Sequence, residues 1–425
     1  MSLTSPSPGL PLGTRPSLLH RGWRAFSPKA SLIELFSAPP AHSRSVDGLR
    51  ALAILWVVVF HVFQLIGVYM ERGEFERLFL AVEADPLRGW VLRGDYGVDL
   101  FFVLSGFLIT RIFMHEQAQT GAVRVGLFYW RRFLRLMPVY AVVLLAYVAS
   151  RAPNFQNAWA NVLYVNNFLP VTQQAVVWSW SLAIEEQFYL VFPFFWLLVG
   201  RSRHAPWLMG ALLLGGVGLE LALIVKNGFT MPFPIDPVMQ SVQGQRYFDI
   251  IYCKPYTRFT PILCGVLVAY LLGRTRVAER LRASPALAYG ELAIALGCLG
   301  GVMAPRTFSG EWGPVEGTVF LTLYRSAFGV GMAALLLLTQ SQAGGGQLLH
   351  RVLSWRPLRP IAQLSYSAYL VHPLIIFGLY QSQTFGGASS VSLLPLFAMS
   401  LGVTLLVSLV LYMLIEKPLM RLRPA

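Results

Sequence analysis

Charge is scarce in this chain. Only 13% of its 425 residues are Asp, Glu, Lys or Arg, roughly half the share of a soluble domain. That shortage excludes an ordinary water-soluble fold. Cysteine is scarcer still. Cys253, Cys264 and Cys298 show neither paired nor Cys-x-x-Cys spacing, so neither a disulfide framework nor a zinc site is indicated, and no metal is expected. The N-terminal stretch lacks a long apolar run ending in a small-residue cleavage site, so no signal peptide is expected. No internal repeat relates the two halves.

What is abundant is apolar side chain: 55% of the residues, with a mean hydropathy of +0.57. The bilayer is the natural solvent for such a chain. A spanning helix needs about 20 mostly apolar residues. Spans are predicted near 50–69, 96–114, 136–151, 180–199, 206–225, 257–273, 286–304, 317–339, 361–380 and 391–415. The third is short and has a possible earlier start inside "FYWRRFLRLMP". The expected fold is all-α and polytopic, with ten transmembrane helices.

The net charge of +14 would suit nucleic acid, but its distribution points elsewhere. Of the 34 Lys and Arg residues, 23 fall on the side of the N-terminal tail and ten on the other. Positive loops stay in the cytoplasm, so both termini are placed inside and the basic surplus is a topology signal. No nucleic-acid partner is needed. Residues 1–44, rich in Ser, Pro and basic residues, read as a disordered cytoplasmic tail, although "SLIELFSAPPA" has the look of a membrane-surface segment. Residues 45–420 form the membrane domain and 421–425 a short tail.

The first span, "VDGLRALAILWVVVFH", carries Asp47, Arg50 and His61. Charge within hydrocarbon is costly and marks function or a paired polar site. Arg50 and His61 are 11 positions apart, roughly 20° from three full turns, so they share a face about 16 Å apart in height. Asp47 lies one turn from Arg50 and is expected to pair with it. Other spans add Asp99, Ser105, Ser181, Glu185, Tyr189 and His372. By position along their spans, His61, Asp99, Tyr189 and His372 fall at one depth, roughly 17 Å, which suggests a shared cavity. Arg132 and Arg135 in "YWRRFLRLMP" are three apart and share a helical face; paired guanidiniums suit phosphate. Arg258 is expected at the outer rim, as an anchor or an acceptor contact. Trp178 and Trp180 fit an interfacial aromatic belt.

"DGLRALAILWVVVFH", "GVDLFFVLSGFLIT", "RRFLRLMP", "WSLAIEEQFYL" and "SYSAYLVHPLI" occur in that order. Together, over about residues 44–420, they resemble the acyltransferase-3 family of polytopic membrane O-acyltransferases. The resemblance implies transfer of an acyl group, commonly acetyl, from cytoplasmic acyl-CoA to a hydroxyl of a sugar or glycolipid. The acceptors it implies are envelope polymers such as lipopolysaccharide or exopolysaccharide, and the location a bacterial inner membrane. The family's Arg-x10-His motif matches Arg50 and His61, its Arg-x-x-Arg motif matches Arg132 and Arg135, and its fourth-span signature matches Ser181, Glu185 and Tyr189. The chain is expected to be a stand-alone form without an added hydrolase-like domain.

On this reading Arg132 and Arg135, helped by Arg50, clamp the phosphates of acyl-CoA, the donor substrate. His61, with an ordinary pKa of about 6.5, is the candidate base. A covalent acyl-histidine is the alternative route. Tyr189 is a candidate oxyanion donor, with Glu185 or Asp99 orienting His61 or holding acceptor hydroxyls. Asp47, Ser105, Ser181, Arg258 and His372 are supporting or acceptor-lining candidates. The rival function is a transporter with a His/Asp/Glu proton relay. It would be expected to show paired broken helices in related halves, which the sequence does not.

Overall fold

The computed structural model describes residues 26–37, 44–231, 241–303, 310, 312–382 and 393–423. Most of the predicted N-terminal tail, and residues 424–425, lie outside the described residues. Among the described residues there is no β-strand. Ten helices among the described residues are long and apolar enough to cross a membrane. We number them α1 (Arg44–Ile66), α2 (Tyr96–Thr120), α3 (Val125–Ala149), α4 (Trp180–Val199), α5 (Ala205–Asn227), α6 (Pro255–Arg274), α7 (Pro285–Met303), α8 (Pro314–Ser341), α9 (Leu358–Gln381) and α10 (Leu393–Leu411).

Local chemistry sets several of these boundaries. Proline stands in the first turn of α5, α6 and α8, where its missing N–H has no helical partner to lose. Gly121 ends α2 at φ 76° and Gly228 ends α5 at φ 66°, the left-handed conformation that glycine adopts without a Cβ clash. α3 begins at Val125, earlier than its apolar run suggests. The basic stretch Arg131–Arg135 is therefore helical and belongs to the span.

The helices form an inner group and an outer one. In α8, 72% of the apolar window is buried inside the protein; in α7 only 17% is. α1 packs against α9 and α2, and α2 packs along α6 more extensively than any other pair. Reciprocal glycines permit the last contact. A Cβ at Gly106 would stand 2.0 Å from the Ile262 carbonyl oxygen, and one at Gly265 would stand 1.9 Å from that of Val103. Small residues allow such close backbone approach between membrane helices. Gly265→Ala should therefore separate α2 from α6 and sharply reduce the folded fraction recovered in detergent, read as a monodisperse size-exclusion peak. Gly273→Ala on the same helix is the control. There a Cβ would meet only the flexible end of Met114, and a near-normal yield is expected.

Part of the segment expected to be disordered is ordered. Pro28–Phe36 is a helix, capped by the Ser27 hydroxyl, which accepts from the Ala30 amide at 3.3 Å. Leu35 is buried beside Leu364 and Tyr412, while Leu32, Ile33 and Phe36 remain exposed. Burying one face against the bundle supplies the stabilisation that a short isolated helix lacks.

Candidate active site

α1 and α9 build the first part of the site together. Arg50 and His61 do share a face of α1, and that face meets α9 twice. The Arg50 Nη2 donates to the Ser365 hydroxyl at 3.0 Å. Deeper in, the His61 ring lies 4.8 Å from the His372 ring, edge to face. Asp47 interacts electrostatically with Arg50 but makes its direct bond elsewhere. Its Oδ2 accepts from Arg359 at 2.9 Å, because α9 begins beside this turn and brings a second guanidinium. Arg50 is thereby left to reach inward.

The two histidines are held alike. Each Nδ1 bonds a backbone carbonyl one turn earlier, His61 to Val57 at 2.8 Å and His372 to Ala368 at 3.1 Å. A carbonyl only accepts, so each Nδ1 carries the proton, and in each neutral ring Nε2 is the basic nitrogen. His372 is fully buried, and its Nε2 has no partner among the described residues.

α2, α3 and α4 build the second part. The Ser105 hydroxyl donates to Glu185 Oε1 at 2.6 Å. The Tyr189 hydroxyl reaches Ser105 Oγ and Glu185 Oε2, each at 3.3 Å. Arg132 lies over the Tyr189 ring, 4.8 Å from its centroid. One cavity of about 190 Å³ joins these groups to the first part. Arg50, Arg132 and Arg135 line it, with Ser105, Glu185, Tyr189, Ser181 and Tyr369. The Ser181 and Tyr369 hydroxyls are 2.6 Å apart. Phe102, Leu136 and Leu182 supply apolar wall.

His61 does not line this cavity. Its link to the wall is His372, whose ring lies 5.7 Å from Tyr369. The depth estimate therefore grouped residues that the fold divides. Glu185 and Tyr189 meet each other and Arg132, and they make no contact with His61. Height along a helix does not fix direction around it: His61 faces α9, whereas Glu185 faces α2.

Asp99 departs further. It stands in the first turn of α2. It is fully buried and pairs with two cations, Arg258 Nη2 at 3.1 Å and Arg325 Nη1 at 2.6 Å. Arg325 also pairs with Asp95. Arg258 is 1% exposed, beneath Trp180 and Tyr252, so it stands at no rim. Trp180 is itself buried by that contact and cannot belong to an interfacial belt. Trp178 donates its indole N–H to the Leu370 carbonyl at 3.1 Å. From the sequence Arg325 reads as a buried pair or an end-of-span group, and the structure makes it a buried pair with Asp95 and Asp99. The signal is an arginine in mid-span, which hydrocarbon tolerates only with a buried counter-ion. Among the described residues no group of three or more His, Cys, Asp or Glu side chains is arranged to hold a metal.

Known proteins similar to this chain match it over part of their length. It is 28% identical over 354 residues to the peptidoglycan O-acetyltransferase OatA of Listeria monocytogenes, covering 78% of this chain and 49% of that protein. It is 25% identical over 388 residues to the nose resistant to fluoxetine protein 6 of Caenorhabditis elegans, covering 80% and 46%. A putative O-acetyltransferase of Staphylococcus aureus is 26% identical over 244 residues, covering 53% and 34%. The chain thus spans half or less of the length of these relatives. No solved structure matches it. The family model described as an acyltransferase domain matches residues 43–413, and with nearly the whole membrane bundle inside that match, the chain belongs to the acyltransferase-3 family.

Proposed function

We propose that this membrane acyltransferase moves an acetyl or similar acyl group from cytoplasmic acyl-CoA to a hydroxyl of a carbohydrate or glycolipid. The observation that carries the reading is the cavity itself. Three guanidiniums, Arg50, Arg132 and Arg135, line it together with hydroxyls and apolar wall. That lining suits the donor: phosphates for the arginines, amides of the pantetheine arm for Ser105, Ser181 and Tyr369, and an acyl end against Phe102. The excess of Lys and Arg in loops on the side of the N-terminal tail supports placing that side in the cytoplasm, where acyl-CoA is found. A bacterial inner membrane is the setting that this arrangement suits.

His61 is the base in this reading. The Val57 carbonyl fixes its ring and leaves Nε2 free to take the proton of the acceptor hydroxyl. The oxygen then bonds to the thioester carbon, the carbon–sulfur bond breaks, and the departing thiolate recovers a proton from the imidazolium. The acyl end must pass Tyr369 to meet His61, which makes Tyr369 the residue at the threshold. Glu185 does not contact His61. Its place, bonded by Ser105 and Tyr189 beside Arg132, suits holding the arginine clamp. Ser105 and Ser181 serve as donors to the arm. His372 lies against the base and lines the route of the acceptor. For Asp99 and Arg258 the buried pairing favours a structural role over acceptor contact.

Purified protein incubated with labelled acetyl-CoA and a membrane glycolipid fraction should transfer label to the glycolipid. Arg132→Ala with Arg135→Ala should weaken acetyl-CoA binding by at least tenfold, since hydrogen bonds to charged groups contribute roughly 1.5–3 kcal/mol each. Binding at the wild-type level in the double variant would remove the clamp. Solute uptake without acetyl-CoA consumption would replace the enzyme by a transporter.

A further inference from the structure

The segment that follows α10 packs against α3, the helix that carries Arg132 and Arg135. Its helical ladder widens into a π turn over Tyr412–Glu416 and resumes over Lys417–Arg421 with Pro418 in the first turn. π turns are rare and gather at functional sites. This one carries Glu416 inward. The carboxylate is buried, accepts from the Ser367 hydroxyl at 2.9 Å, and interacts electrostatically with Arg135, Arg50 and Arg423.

The short helix Lys417–Arg421 packs on α3, the helix that bears Arg132 and Arg135. Just beyond it stands Arg423. Its Nε and Nη2 are buried and have no hydrogen-bond partner among the described residues. Burial and its neighbours Arg135 and Arg132 push its pKa down to about 10, against one opposing carboxylate, Glu416. It remains charged at neutral pH. Buried donors without acceptors are costly, and clustered like charges add repulsion. An anion with several acceptor oxygens would relieve both.

The helix Pro28–Phe36 helps to fix this arrangement. Glu34 pairs with Lys417 at 2.6 Å and Arg421 at 3.0 Å. Partial burial alone would raise the pKa of its carboxyl. The two cations outweigh that effect and hold it below the ordinary value. The pairing is therefore complete at neutral pH and is lost only as pH falls through that depressed value.

We propose that Arg423 is a further phosphate-binding residue of the donor site, with Glu416 as the carboxylate that holds the converging guanidiniums when no phosphate is present. The proposal rests on acyl-CoA being the donor. It assigns the anion class as a nucleotide phosphate, brought between α3 and the end of α10.

The test is calorimetric binding of coenzyme A, and separately of adenosine 3′,5′-bisphosphate, to the full-length protein in detergent. Arg423→Ala should weaken both ligands by about tenfold, the loss expected for one charge-assisted hydrogen bond. Its unfolding temperature should not fall, because the variant removes one cation from a cluster in which guanidiniums outnumber the carboxylate Glu416. Arg423→Lys, which keeps a point charge without the fork, should lose less. Should the alanine variant fail to fold, Arg423→Gln provides the same comparison. Wild-type affinity in a folded variant overturns the proposal, and so does a loss seen with coenzyme A but not with the bisphosphate. If the wild-type protein binds neither ligand, the donor reading itself fails and the proposal falls with it.

Discussion

His61→Ala should lower the rate of acyl transfer by about 10²–10⁴-fold, the range contributed by a positioned general base. The affinity for coenzyme A should stay near the wild-type value. Both halves of this expectation come from geometry. The His61 ring is oriented by the Val57 carbonyl and packs on His372, and it does not line the cavity where the arginines stand. The donor's phosphates and the base are therefore separate loci that one variant can uncouple. The measurement is turnover of labelled acetyl-CoA at saturating donor by protein confirmed to be inserted. His61→Gln is the companion variant because it fills more of the space without supplying a base of useful pKa. Activity near that of the wild type in either variant would remove His61 from the chemistry. A parallel loss of coenzyme A binding would place it in the donor site instead.

Asp99→Ala should destabilise the folded protein by about 3–5 kcal/mol, the cost of removing one partner from a buried ion pair. Asp99 pairs with two guanidiniums at once, accepting a hydrogen bond from Arg325 and standing 3.1 Å from Arg258. Arg325 keeps Asp95 as a partner when Asp99 is removed. Arg258 keeps the faces of Phe102, Trp180 and Tyr252 and a weaker electrostatic interaction with Glu220, which do not fully replace a direct ion pair for a charge withdrawn from water. Denaturant unfolding of the purified protein reads the effect. Asp99→Asn should cost less, since the amide oxygen still accepts. Transfer activity per folded molecule should be largely retained in the asparagine variant. A variant that is fully stable and inactive would return Asp99 to the chemistry and overturn its structural role.

These two residues show what depth counting can and cannot do. Both were placed at mid-membrane by position along their spans. His61 stays deep in α1, beside His372, while Asp99 stands in the first turn of α2. The predicted span 96–114 begins where that helix begins, so a count taken from its other end alone overstated how central Asp99 is. Local pairing has a related limit. Asp47 is one turn from Arg50, yet Arg359, distant in sequence, takes the bond. Local spacing identifies residues within reach of each other and is silent about competitors from another helix.

Composition by itself determined that the chain lives in a bilayer and crosses it in ten helices, because so little charge leaves no other solvent for so much apolar surface. Periodicity determined that Arg50 and His61 share a face, because both lie on one rigid helix whose turn angle is fixed by backbone hydrogen bonding. The order of motifs pointed to the family that the domain match shows. Only the tertiary structure decided which polar groups meet. It separated His61 and His372 from Glu185 and Tyr189, gave Asp99 to Arg258 and Arg325, and brought Glu416 and Arg423 from the end of the chain to α3. The physical reason is that helix rotation and neighbour choice are set by close packing of whole surfaces, such as Gly106 and Gly265 against opposing backbones. No single span carries that information.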